Sequence, residues 1–221
     1  MRYVLLSILS LIFINIFGQD TASLVKYDYS FQFKDGLYIT FSDLKNNNPV
    51  PYERVIDPPS DSPDFFEMLD EAETISFNDQ YGASKEIKKS ALWGYSKNGK
   101  PYVYWSDKFN LIPYIGNISY FMTTVKVYYT TGGYDPFYSS YYYNNYYPVR
   151  THQTEELRQF LIDFGTGRVL DYDSRNIEAL LSKDPEIHKE YSKLGKRKKN
   201  KKNLDYIRLY NNKFPLYMPG N

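Results

Sequence analysis

The chain has 221 residues, with 27 Lys and Arg against 26 Asp and Glu, and it contains no cysteine. The balanced charge gives no indication of a nucleic-acid partner. The lack of cysteine excludes disulfides, thiolate metal sites, a cysteine nucleophile and lipid attachment at cysteine. With 25 Tyr and 14 Phe, the chain can still bury a large core by packing alone.

The first nineteen residues predict a secretory signal peptide. Arg2 is followed by an apolar run from Tyr3 to Phe17 and then by the small residue Gly18. This is the pattern of a charged start, a hydrophobic segment and a cleavage point. The apolar run is short for a bilayer span, which needs about 20 residues. We therefore expect an exported protein, located in the periplasm, at the cell surface or outside the cell, with no membrane span in the mature chain.

Residues 20–173 predict an antiparallel β domain, either a sandwich or a partly closed barrel. Thr40 and Asp43 form a loose capping box that predicts a short helix, and residues 65–69 indicate one further helical turn. Residues 50–63 hold four prolines, which predicts irregular structure. Apolar alternation and turn signals predict strands at residues 27–33, 37–39, 73–77, 86–90, 109–115 and 118–129.

The Asn-Gly pair at residues 98–99 predicts a β-hairpin with a two-residue type I′ turn. In that register Tyr95 faces Tyr102, and Trp93 faces Tyr104. Two interpretations of these four aromatic residues stand. They form a flat platform on which sugar rings stack, or they belong to the core and to ordinary cross-strand packing.

Residues 130–149 break the strand pattern and are rich in tyrosine, which predicts a long loop. Three interpretations stand. In the first, the loop is a disordered insertion. In the second, it is an adhesive or partner-binding surface, because tyrosine gives a large contact area at low entropic cost. In the third, it packs back on the sheet. A structural or adhesive protein that acts through this loop is one of the functional classes left open.

The remaining chain predicts a second hairpin and then helices. Residues 156–164 and 168–172 form the hairpin around the Gly-Thr-Gly turn at residues 165–167. Residues 174–221 switch to helical spacing and predict two or three helices packed on the β domain, with Ser174 capping the first and Asp184-Pro185 starting the second. The apolar stripes of the three helices are Ile177, Leu180 and Leu181; Ile187, Tyr191 and Leu194; and Leu204, Ile207 and Tyr210. The fold class is therefore α+β and mainly β.

Five segments follow one another in a familiar order: DGLYITFSDLKNNNP (residues 35–49), LWGYSKNGKPYVY (92–104), LIDFGTGRV (161–169), SKDPEIHKEYSKL (182–194) and YIRLYNNKFPLY (206–217). As an ordered set they resemble a family of uncharacterised exported proteins of Bacteroidota, and the likeness covers most of the mature chain. The resemblance implies export. It implies no activity, ligand or catalytic residue.

Two charged stretches are candidate binding segments. The acidic stretch around Asp57, Asp61 and Asp64 offers oxygen ligands for Ca²⁺, but its spacing is that of a solvated loop. The basic run at residues 196–202 is interpreted as a solvated segment between helices, and the alternative is contact with lipid headgroups, lipopolysaccharide phosphates or other phosphate-rich partners. We expect no cofactor and no bound metal.

Enzyme chemistry finds little support in the sequence. His152 and His188 are the only histidines, and no nucleophile-elbow pattern is present. Two carboxylates in one cleft need no sequence motif, and Asp163 and Asp171 on the second hairpin are the pair to test.

The first functional hypothesis is a non-enzymatic, exported protein that binds or assembles at the bacterial cell envelope, with an envelope protein or a glycan as its partner. The alternative is a secreted glycan hydrolase that uses paired carboxylates. The balance of the sequence leans against an enzyme, because no catalytic motif follows residue 19.

Overall fold

The computed structural model describes residues 23–134 and 146–220, with the side chains of residues 132–134 and 146–148 left aside. The predicted signal peptide and the middle of the predicted Tyr-rich loop lie outside the described residues.

The described residues form twelve strands: β1 (Leu24–Lys26), β2 (Gly36–Tyr38), β3 (Val55–Asp57), β4 (Thr74–Asn78), β5 (Ser84–Lys88), β6 (Gly94–Lys97), β7 (Lys100–Trp105), β8 (Lys108–Leu111), β9 (Ile118–Tyr134), β10 (Tyr146–Asp163), β11 (Arg168–Asp171) and β12 (Tyr217–Pro219). They also form five α-helices: α1 (Phe41–Lys45), α2 (Phe65–Glu71), α3 (Ser174–Leu181), α4 (Pro185–Ser192) and α5 (Lys196–Lys213). Short 3₁₀ turns cover Tyr52–Arg54 and Lys89–Ala91. The predicted class, α+β and mainly β with helices after the sheets, is confirmed.

The strands form four antiparallel sheets, ordered β1-β12, β3-β4-β5, β2-β6-β7-β8 and β11-β10-β9. Among the described residues the sheets do not close into a barrel. The predicted register of the β6–β7 hairpin is confirmed, since Tyr95 pairs with Tyr102 and Lys97 with Lys100. Asn98 and Gly99 have φ angles of 54° and 71°, as a type I′ turn requires.

The base of the long β9–β10 hairpin separates two hydrophobic cores. This hairpin base comprises residues 118–121 of β9 and 160–163 of β10, which pair directly. On one face, Leu161 packs in a cluster with the C-terminal helices. On the other face, Phe160 packs in a cluster with Val103 of β7. Because side chains alternate across a strand, one short ladder is covered on both sides.

Two further clusters complete the core. The first joins the β2-β6-β7-β8 sheet to α2 and β4 and includes Leu37, Leu69 and Ile75. The second gathers residues that are distant in sequence, including Phe33 and Met218. Through this second cluster the two ends of the described chain pack against the same sheet.

Two of the C-terminal helices, α3 and α4, begin where short polar residues cap them. Asp184 accepts hydrogen bonds from the N–H groups of Glu186 and Ile187 at 3.0 and 2.9 Å, and Pro185 stands in the first turn as predicted. The cap of α3 is Asp173, which accepts from the N–H of Asn176 at 2.7 Å. The prediction of Ser174 as this cap was therefore wrong by one residue, because a carboxylate was available one position earlier.

The predicted connection at residues 196–202 is helical, which corrects the interpretation of the basic run. It forms the first two turns of the 18-residue helix α5. Lysine and arginine are good helix formers. In addition, Lys199 and Asn200 form hydrogen bonds with Glu178 and Ser174 of α3, respectively. None of the described helices is long and apolar enough to cross a membrane.

The strand predicted at residues 27–33 was wrong. The strand lies earlier, at β1, and pairs with β12. Asp28 instead accepts hydrogen bonds from the N–H and hydroxyl of Ser30, which turns the chain. Tyr27, Phe31 and Phe33 still pack together, with Phe31 and Phe33 ring centroids 5.1 Å apart, whereas Tyr29 is exposed. The aromatic alternation therefore indicated packing of three of these residues but not strand pairing.

The β9–β10 hairpin runs into the predicted Tyr-rich loop. Its strands continue to Tyr134 and resume at Tyr146, so the boundaries of 130 and 149 were too wide. Threonine, valine and tyrosine favour strands, and cross-strand pairing extends through them, with one register shift between Tyr147 and Arg150. Residues 135–145 lie outside the described residues.

The Asp184 cap gives a pH-dependent contribution to stability. The ammonium of Lys213, 2.6 Å away, and the N–H groups of Ile187 and Glu186 lower the pKa of this carboxyl. The folded-state pKa is thus below the unfolded value, so the stabilisation is present above the unfolded pKa of about 3.9 and is lost as the pH falls through the folded pKa.

We predict that Asp184→Asn, which keeps a capping side chain but removes the charge, is less stable than the wild type at pH 7. The gap between the two urea midpoints should narrow as the pH is lowered below about 4, where the carboxyl of the unfolded chain is protonated. Urea denaturation from acid to neutral pH measures this gap. A gap that stays constant over the whole range would show that the charge contributes nothing.

Candidate functional site

The predicted aromatic platform is divided in the structure. Tyr95 is 7 % exposed and packs in the core cluster that contains Leu37 and Ile75. Tyr102 stacks on Tyr95 with ring centroids 4.7 Å apart and planes 19° apart. Burial, with the neighbouring Tyr102 and Asp70, raises the pKa of Tyr95. These two rings are core residues that make the predicted cross-strand pair.

Trp93 lies apart from that pair, whereas the ring of Tyr104 lies 5.2 Å from that of Phe109, which in turn lies 4.9 Å from that of Tyr95. Leu92 and Tyr95 belong to one core cluster although they are three residues apart, and Trp93 packs against two other clusters. The alternation of side chains between the two faces of the sheet therefore shifts by one residue between Trp93 and Gly94, as it does at a bulge. Gly94 permits this because a Cβ there would stand 1.9 Å from the backbone oxygen of Tyr102. The sequence could not show this slip.

Trp93 and Tyr104 instead line an open cleft of about 590 Å³ between the β2-β6-β7-β8 sheet and the second hairpin. Its aromatic walls are Phe41, Trp93, Tyr104 and Trp105. Its polar rim is formed by Thr40, Ser90, Ser106 and Asp107. Both tryptophans of the chain, Trp93 and Trp105, therefore face one cleft.

Three local contacts set the walls of this cleft. The ring of Trp93 lies 5.5 Å from that of Phe41, and the ring of Trp105 lies 5.8 Å from that of Phe160 in the hairpin base. Gly167, with φ of +75°, touches Phe41, because a Cβ at this glycine would stand 2.4 Å from the Phe41 ring. The cleft is therefore built where α1, the β7–β8 turn and the second hairpin meet.

The polar rim has hydrogen-bonding groups of both kinds. Ser106 and Asp107 form the β7–β8 turn with φ angles of 55° and 64°, which leaves both side chains exposed. A tyrosine hydroxyl is protonated at neutral pH, and burial, followed by the charges of Asp107 and Asp70, raises the pKa of Tyr104 further. Asp107 is the only carboxylate among the described residues that line the cleft.

The carboxylates predicted for hydrolysis do not converge. Asp163 pairs with Arg168, whereas Asp171 pairs with Phe160, three positions further along the ladder. Because paired residues share a face and neighbours alternate, Asp163 and Asp171 belong to opposite faces of the sheet. Asp163 accepts hydrogen bonds from Lys183 and Thr166 and from the N–H of Gly165, which is the environment of a structural carboxylate.

The other candidate residues do not form a site. No group of three or more His, Asp or Glu that could hold a metal ion occurs in the part of the chain that the structure describes. His152 lies on the exposed part of β10, 3.1 Å from the hydroxyl of Thr131. His188 lies 3.9 Å from a carboxylate oxygen of Glu178. Neither histidine is in the aromatic cleft.

Comparison of the chain with protein-family models, with curated proteins and with solved structures finds no match.

The sequence pattern identified half of the aromatic wall. It selected Trp93 and Tyr104 but missed Phe41, Trp105 and Asp107, which come from a different helix and from the far end of β7. Trp105 and Asp107 carried a usable signal, since an aromatic residue next to a Ser-Asp turn lies at the end of a strand. Phe41 carried none, because only the tertiary contact with Gly167 brings α1 to the cleft.

We predict that Gly167→Ala destabilises the protein by about 2–4 kcal/mol, of which about 1 kcal/mol is the cost of the positive φ and the rest is overpacking against Phe41. Gly82→Ala is the matched control, because Gly82 has φ of +81° and a Cβ added there would have nothing within 4 Å. Urea denaturation of both variants measures the difference. Equal losses would show that the Phe41 contact is dispensable.

We also predict that Asp163→Ala lowers the free energy of unfolding by about 1–3 kcal/mol, because it removes a buried carboxylate that accepts hydrogen bonds from Gly165, Thr166 and Lys183. Asp171→Ala, at an exposed position, should change it by less than about 0.5 kcal/mol. Thermal denaturation monitored by circular dichroism gives both values. A large loss at Asp171, or none at Asp163, would contradict the structural role assigned to Asp163.

Proposed function

We propose that this protein is an exported, non-enzymatic binding protein of the bacterial cell envelope, and that its aromatic cleft binds a glycan. The observation that carries the proposal is the convergence of both tryptophans and Phe41 on one open cleft. The signal-peptide pattern and the resemblance to exported proteins of Bacteroidota support the proposed location, and both remain part of the proposal.

The composition of the cleft suits a sugar ring. A pyranose has an apolar face of C–H groups, which packs against aromatic rings, and an edge of hydroxyls, which needs hydrogen-bond partners. Trp105 is 37 % exposed and offers a ring that is fixed on Phe160 yet accessible. The hydroxyl of Ser106 and the carboxylate of Asp107 stand beside it on the β7–β8 turn. Binding sites of this kind combine apolar walls with a few polar groups that fix orientation.

The hydrolase alternative receives less support from the same cleft. Glycosidases of the usual kinds need two carboxyl groups about 5–10 Å apart on either side of the scissile bond. Asp107 is the one carboxylate on the described walls, and Asp163 and Asp171 lie on opposite faces of another sheet. A glycan that binds in the cleft should therefore be released intact, without hydrolysis.

The proposal is tested by a panel of envelope oligosaccharides measured by isothermal titration calorimetry. We predict that Trp105→Ala weakens binding about tenfold or more, because loss of one stacking ring removes about 1–3 kcal/mol. The matched control is Tyr81→Ala, which removes an aromatic ring that is 85 % exposed and outside the cleft. Equal binding by both variants would remove the cleft from the proposal.

The same panel separates binding from catalysis. Asp107→Asn keeps a residue that tolerates positive φ and removes the negative charge. We expect intact oligosaccharide to be recovered after long incubation with the wild type and with this variant alike. Cleavage by the wild type that disappears in Asp107→Asn would establish the hydrolase instead.

A further inference from the structure

We infer that the outward face of α5, together with the neighbouring surface of the β9–β10 hairpin, docks on an anionic lipid bilayer surface. This surface is a different face of the molecule from the aromatic cleft, and its docking does not depend on glycan binding. The arrangement of charge on α5 and the apolar side chains beside it carry the inference.

The cations in the first two turns of α5 divide into one paired residue and a group of unpaired ones. Lys199 faces the protein, where its ammonium lies 2.6 Å from a carboxylate oxygen of Glu178 and 4.9 Å from the ring centre of Tyr191. The other cations of the first two turns are exposed and make no ion pair with any described residue. These unpaired cations are Lys196, Arg197, Lys198, Lys201 and Lys202.

Helical periodicity places most of these unpaired cations on one face. Asn203, Ile207 and Tyr210 are buried and mark the side of α5 that packs on the core. With 3.6 residues per turn, the opposite side carries Arg197, Lys198, Lys201, Lys202 and Arg208. Asp205 is the one carboxylate on this outward side of α5. We call this surface the basic face.

The clustered cations of the basic face destabilise the free protein. Cations in the first turn of a helix oppose its dipole, and Gly195 provides no side chain to cap it. Like charges four residues apart, such as Arg197 with Lys201, repel each other. A negatively charged surface would reverse each of these effects. Charge complementarity therefore identifies the partner as an anionic one.

Exposed apolar side chains near the first two turns of α5 identify that partner as a lipid surface. Met122 and Leu157 are 45 % and 70 % exposed. They lie on the same face of their sheet as Leu161, which packs on the helices. Tyr172 and Asp173 line both the depression at Met122 and Leu157 and the one at Lys196 and Asn200, so these apolar side chains adjoin the first two turns of α5, the part of the helix that carries most of the basic residues.

A soluble polyanion would neutralise the basic face and leave Met122 and Leu157 in water. A bilayer offers headgroup phosphates for the cations and an apolar boundary for these side chains. Stable membrane association generally needs such a second contribution in addition to one weak anchor. Leu209, which is 45 % exposed and follows Arg208 on α5, adds to the apolar contribution.

The test uses the chain from residue 20 onward, which retains every residue of the four hydrophobic clusters and removes the apolar leader. Sedimentation is measured with vesicles of phosphatidylcholine alone and with vesicles in which roughly a third of the lipid is phosphatidylglycerol, which supplies the anionic surface. We expect binding to the anionic vesicles only. Each basic residue near such a surface adds to its attraction for the anionic headgroups. The variant in which four cations become Gln should therefore bind at least about tenfold more weakly: Arg197→Gln, Lys198→Gln, Lys201→Gln and Lys202→Gln.

The matched control changes four exposed lysines elsewhere that make no ion pair with a described residue, and it should bind as the wild type does: Lys34→Gln, Lys45→Gln, Lys88→Gln and Lys100→Gln. At high salt the wild type should keep the part of its vesicle binding that comes from apolar contacts. Leu157→Ser should lose that salt-resistant binding. Equal binding to both vesicle types, or an equal loss in the control, would overturn the inference. Tighter binding to soluble polyphosphate than to vesicles at equal phosphate concentration would also overturn it, and would assign the basic face to a polymer.

Discussion

The packing of Phe121 on Phe160 across the hairpin base is the contact on which the rest of the structure depends. Their ring centroids are 5.5 Å apart, the planes are 23° apart, and both side chains are buried. Since side chains alternate along a strand, fixing these two rings on one face fixes Leu161 on the other. One ladder thereby orients both the sheet that carries the aromatic cleft and the helices that carry the basic face.

This arrangement puts the two proposed surfaces on opposite sides of one sheet. Phe160 supports Trp105 and so one wall of the cleft. Leu161, its neighbour, packs in the cluster that holds Tyr191 and Ile207 of the helices. A protein held to a bilayer by α5 would therefore present the cleft away from the lipid, where a glycan can reach it. Geometry joins the two proposals, although each is tested separately.

Local signals in the sequence predicted the local structure well. The capping box at Thr40 and Asp43 forms both of its hydrogen bonds, the type I′ turn has the predicted register, and Asp184-Pro185 begins a helix. The failures have a common cause, which is tertiary context. The change of side-chain direction between Trp93 and Gly94 depends on how closely β7 approaches, and the aromatic cleft depends on the contact of Phe41 with Gly167. No pattern within one segment encodes such contacts, so the sequence predicted the elements and only part of the site.

The most direct test of the aromatic cleft as the binding site uses the intrinsic fluorescence of the two tryptophans. Because Trp93 and Trp105 are the only tryptophans of the chain and both line the cleft, their emission reports on this surface alone. Titration with an envelope oligosaccharide should shift the emission to shorter wavelength and protect Trp105 from acrylamide quenching, with a midpoint equal to the calorimetric Kd. Binding that saturates by calorimetry while emission and quenching stay unchanged would contradict the cleft as the binding site.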